Sequence, residues 1–157
     1  MRASGRYLLM LTVICMISWG WFVSHYLILI GGVTPSLPDL VYLVKKGALP
    51  SVAGQYIAFT PPENPYYTQT FIKIVGGVEG DKVSKDPHNN FYINGQLIGK
   101  AKSFSRTNEQ LYPGPTGSIP KGNYFVYTTH KDSYDSRYRQ IGWISENRVI
   151  GTAIPIL

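Results

Sequence analysis

The sequence predicts a mainly β domain, a partly closed and coiled antiparallel barrel, behind one N-terminal transmembrane helix. Three observations carry this. Tyr7 to Ile30 contains no Asp, Glu, Lys or Arg. Beyond it, short runs of β-branched and aromatic residues alternate with Gly- and Pro-rich turns. No second long helical pattern follows.

The uncharged N-terminal stretch comes first. As a helix its 24 residues would span roughly 36 Å, enough to cross a bilayer. A cleaved signal peptide would have a shorter apolar region ending in a small-x-small site. This stretch ends in Leu-Ile-Leu-Ile-Gly-Gly-Val, so an uncleaved anchor is expected. Arg2 and Arg6 place the N-terminus in the cytoplasm and the remainder outside, periplasmic in a Gram-negative cell. The expected division is an N-terminal tip and anchor at 1–32 and an extracytoplasmic domain at 33–157.

Strands are expected at Asp39–Lys46, Gln55–Phe59 and Phe71–Val75. Phe91–Ile98 reads as a hairpin, because Asn94-Gly95 suits a two-residue type I′ turn. Lys102 to Ser118 is long and irregular. Ile119 to Tyr127 reads as a turn and a strand, and Ile150 to Leu157 as the last strand.

Composition excludes several classes of function. The only cysteine, Cys15, lies in the anchor, and the three histidines are scattered. No disulfide, metal or cofactor is expected. The net charge of +6 suits contact with anionic lipid headgroups. The basic residues are dispersed and the domain is exported, so no nucleic-acid partner is expected.

Two residues carry possible chemistry. On the Phe71–Val75 strand, alternation sets Phe71, Lys73 and Val75 on one face and Ile72 and Ile74 on the other. Lys73 thus points its amine into an apolar face, where desolvation lowers a lysine pKa and makes it a usable base. An edge-strand lysine that snorkels and blocks aggregation fits the same pattern. Ser36 lies on a loop stiffened by Pro35 and Pro38, just past the anchor. A serine beside prolines is often only a turn residue, and becomes a nucleophile with a base nearby. There is no Gly-x-Ser-x-Gly elbow, and His88 and His130 sit in polar contexts that suit surface histidines.

Four motifs in order, Thr34-Pro35-Ser36-Leu37-Pro38, Phe71 to Gly76 with Gly80-Asp81-Lys82-Val83, Ile119 to Val126, and Ser133-Tyr134-Asp135-Ser136-Arg137, resemble the type I signal peptidase family. The small size, single anchor and Thr-Pro-Ser-x-Pro box look most like its conjugative-transfer (TraF-type) branch, which matures pilin subunits. The resemblance implies a serine peptidase with Ser36 as nucleophile and Lys73 as general base. It implies that Ser133 holds the lysine amine and that Asp135 and Arg137 pair to brace the loop. The Ser36 N–H and the Thr34 hydroxyl would form the oxyanion hole. The implied partners are the lipid bilayer and a membrane-bound precursor, pilin-like or bearing a signal peptide. The implied outcome is cleavage or cyclisation of a pilin-like subunit for conjugation or type IV secretion.

The motifs also depart from the family pattern. Ile74 stands where an arginine commonly follows the lysine, Glu79-Gly80-Asp81 replaces Pro-Gly-Asp, and Thr129 to Asp132 replaces an acidic Gly-Asp opening. Two rival readings are a general signal peptidase and a catalytically silent tethered scaffold of the same fold. A self-cleaving repressor is disfavoured by the anchor and by the lack of a helix-turn-helix pattern.

Overall fold

The computed structural model describes residues 2–30, 37, 41–63 and 69–156. The chain opens with helix α1 (Arg2–His25), whose large apolar side chains stand exposed. Arg6–His25 is long and apolar enough to cross a membrane, about 30 Å at roughly 1.5 Å per residue.

The helix ends earlier than its hydropathy suggests. Tyr26–Ile30 is strand β1, paired antiparallel with β2 (Val41–Lys46). The reason lies in period-2 packing. Leu27 and Leu29 pack on a cluster of Tyr42, Val44, Ala58 and Ala153, while Ile28 faces out. Lys46 Nζ donates to the Val23 carbonyl at 2.8 Å, satisfying an acceptor the last helical turn leaves open.

The remaining strands are β3 (Tyr56–Phe59), β4 (Phe71–Gly77), β5 (Lys82–Lys85), β6 (Asn90–Ile93), β7 (Gln96–Lys100), β8 (Gly117–Ser118), β9 (Asn123–Tyr127), β10 (Ile144–Ser145) and β11 (Val149–Pro155). A short 3-10 turn, Glu146–Arg148, links the last two. Among the described residues, seven strands form one sheet in the order β1-β2-β11-β3-β4-β9-β10, and four form a second in the order β7-β6-β5-β8. All pairs are antiparallel. The mainly β expectation and the Asn94-Gly95 hairpin are borne out, with φ of 49° and 83° at the two turn residues.

Strand β4 joins the two halves of the core. Phe71 and Val75 pack with Ile57, Phe59, Val126, Ile141 and Ile144, whereas Ile72 packs on the Tyr42 cluster. Both faces of the strand are therefore covered by apolar neighbours, as its sequence implies. Lys73 lies on the first face.

Candidate active site

Lys73 is 6% exposed. Its in-sheet neighbour on β3 is Ile57. On the β9 side, Ile74 pairs with Tyr127 and Val75 with Val126; Thr128 follows the last paired residue, where the same register continued by one would face Lys73. The amine lies 5.4 Å from the centre of the Phe71 ring and donates to Ser133 Oγ at 2.9 Å. Burial lowers the Lys73 pKa to about 8; Asp135 opposes that shift and Arg137 adds to it. A lysine at this value supplies a substantial neutral fraction near pH 8, which a surface lysine does not. The structure thus shows a buried amine rather than a snorkelling one.

Ser133 is held by the loop from Thr128 to Arg137. Its N–H donates to the His130 carbonyl at 3.1 Å. Ser136 clamps the loop onto β9: its N–H reaches the Val126 carbonyl at 3.0 Å, and the Val126 N–H donates to Ser136 Oγ at 2.9 Å.

Beneath the loop Asp135 and Arg137 form a two-point ion pair. Arg137 Nε reaches Oδ1 at 2.8 Å and Nη2 reaches Oδ2 at 2.7 Å, with side chains 0% and 3% exposed. Asp135 also accepts the N–H of Arg137 at 3.2 Å and that of Thr128 at 3.3 Å. Arg137 further donates to the carbonyls of Lys100 and His130, at 3.4 Å each. A buried pair needs such extra bonds to offset the loss of water.

Three features of this site are not visible in the motifs. Gly99, at φ +150°, is where Arg137 comes closest to β7: a Cβ there would lie 2.7 Å from Arg137 Nη1. Asp132, next to Ser133, is paired with Lys102 and, at 2.7 Å, with Arg106. The hydrogen bonds from Lys102 and Arg106 hold its carboxyl well below the usual range. This ties the irregular segment after β7 to the loop that carries Ser133. The third is Thr128. No sequence signal marks these contacts, because each depends on two distant segments meeting.

Two of the departures from the family pattern, Ile74 and Glu79, turn away from the lysine face. Ile74 pairs with Tyr127 on the opposite face. Glu79 is exposed, and Asp81 organises its turn by accepting from the Val78 N–H at 2.8 Å and from Asn94 Nδ2 at 2.7 Å. His88 is exposed as expected. His130 is not a free surface histidine: it is half-buried, and its Nδ1 accepts the Asp132 N–H at 3.2 Å.

Ser36 and Thr34 lie outside the described residues. Leu37, which follows Ser36, is half-buried and packs on the same Tyr42 cluster as Ile72, the residue before Lys73.

The whole chain, residues 1–157, matches the family described as Signal peptidase, peptidase S26. The chain is 28% identical over 152 residues to the conjugal transfer protein TraF of Agrobacterium fabrum, covering 82% of this chain and 84% of that protein. A crystal structure of a signal peptidase I from Enterococcus faecalis is 26% identical, covers 67% of this chain and 97% of that one, and superposes with a TM-score of 0.45.

Proposed function

From the premise that this chain belongs to the signal peptidase family, peptidase S26, we propose that it cleaves a membrane-bound precursor with a Ser36/Lys73 dyad. The observation that carries this reading is the buried Lys73 amine, bonded to Ser133 and lowered to about pKa 8.

In this reading Ser36 Oγ attacks the scissile carbonyl carbon while its proton passes to Lys73 Nζ. The oxyanion is met by the Ser36 N–H and the Thr34 hydroxyl. The C–N bond then breaks, and Lys73 returns the proton to the leaving amine. Water, or the substrate's own amino terminus, releases the acyl group. Asp135 and Arg137 brace the loop and Ser133 orients the amine. Arg2 and Arg6 favour a cytoplasmic N-terminus, with the domain outside. An alkaline phosphatase fusion after Thr60 should then be active in a bacterial host; an inactive one would overturn the topology.

The likeness to a conjugal transfer protein favours a pilin-like precursor of a conjugation or type IV secretion apparatus. The family description equally supports the second reading, removal of signal peptides from secreted proteins. The test is to incubate membranes carrying this chain with a conjugative pilin precursor and, separately, with an ordinary secretory precursor. Processing of the first alone, lost in Ser36→Ala, supports the specialised role. Processing of both assigns the general one, and processing of neither supports a silent scaffold. A product lighter than the linear one by a single water would identify cyclisation.

A further inference from the structure

Thr128 is fully buried, and among the described residues its Oγ1 has no hydrogen-bond partner. A buried hydroxyl without a partner is uncommon and costs stability, so its position calls for a reason. Thr128 directly follows Tyr127, the last β9 residue paired with β4 (to Ile74), and continuing that register by one residue sets it opposite Lys73 on the same face. The other in-sheet neighbours on that face, Ile57, Phe71 and Val75, are apolar.

The hydrogen-bond inventory of the amine changes during catalysis. A neutral amine has two N–H donors and a lone pair, and an ammonium has three donors. Ser133 Oγ takes one of them. The charged groups facing the amine are Asp135 and Arg137, and these are committed to each other. Both Asp135 oxygens are already occupied, one of them partly by the N–H of Thr128 itself. Among the described residues, a hydroxyl that can rotate is the acceptor this face still offers.

We propose that the Thr128 hydroxyl is the second hydrogen-bond acceptor for the Lys73 amine once it carries the proton. The inference deepens the dyad reading and rests on it for its catalytic meaning. As Ser36 Oγ bonds to the carbonyl carbon, its proton moves to Lys73 Nζ, and Thr128 Oγ1 turns to accept the added N–H. As the C–N bond breaks, Nζ gives a proton to the leaving nitrogen and Thr128 is released. Thr128 acts through Lys73 and is a positioning residue.

The test uses the full chain in detergent or bilayer discs. The Lys73 amine is titrated by NMR with labelled lysine, and precursor cleavage is measured alongside. Thr128→Val removes the hydroxyl at nearly constant shape. Its Lys73 should titrate roughly one pH unit lower than in wild type. Its kcat should fall about tenfold with KM unchanged. Thr128→Ser, which keeps the hydroxyl, should restore both readings. Lys73 titrating at the same pH in Thr128→Val and wild type overturns the proposal. If Thr128→Val does not fold, Thr128→Ala gives the same two readings. The dyad is judged separately: Lys73→Ala that still cleaves precursor removes the catalytic meaning, while the titration decides the contact on its own.

Discussion

Asp135 and Arg137 meet through two parallel hydrogen bonds of 2.8 and 2.7 Å in a site that excludes water. Their charges act on Lys73 in opposite senses: the carboxylate favours the ammonium form and the guanidinium disfavours it. Asp135→Asn should therefore shift the acid limb of kcat/KM to lower pH, and Arg137→Gln should shift it to higher pH. Each variant should also lose about 3 kcal/mol of stability, since it leaves one buried partner uncompensated. A pH–rate profile and a denaturant melt for each check this; shifts in the same direction would contradict the electrostatic account.

Gly99 is predicted to admit no side chain. Its φ of +150° disfavours any L residue, and a Cβ would press on an Arg137 side chain pinned by Asp135. Gly99→Ala should cost roughly 2 kcal/mol or more and lower activity with it. A denaturant midpoint unchanged from wild type would show that Arg137 can retreat freely.

Lys73 should cost the fold stability at neutral pH. Its pKa is 10.5 unfolded and about 8 folded, so between those values the unfolded chain binds more protons. Stability contributed at this site therefore rises as pH climbs from about 8 to 10.5, and the full penalty holds below 8. Lys73→Met should be inactive but more stable than wild type at pH 7, by about 3 kcal/mol less about 1 for the lost Ser133 bond. The advantage should vanish by pH 10.5. Melting curves at both pH values check the sign.

Alternation set the Lys73 amine on an apolar face but left a snorkelling edge-strand lysine open, and the family motif gave it the role of base. Sequence reading did not reach Ser133, Asp135 or Arg137 by physics; their motif supplied them, since polar residues in a loop show no periodicity. Gly99 and Thr128 were hidden for a further reason. What matters at each is another segment, the Arg137 side chain beside Gly99 and the loop residue Asp135 that accepts the Thr128 N–H. Hydropathy also misplaced the end of the helix. It cannot separate an apolar helix from an apolar strand, so the switch at Tyr26 appears only once β2 is there to pair. Strand β5 escaped because Val83 is its sole buried residue.

The dyad is tested most directly by precursor processing in membranes carrying Lys73→Arg at matched expression, beside Ser36→Ala and His130→Ala. A guanidinium stays protonated even when buried and cannot take the serine proton. Lys73→Arg and Ser36→Ala should each abolish processing, and the double variant should be no worse than either, because the pair acts as a unit. His130→Ala should still process. A fully active Lys73→Arg, or a folded but inactive His130→Ala beside it, would contradict the serine–lysine mechanism.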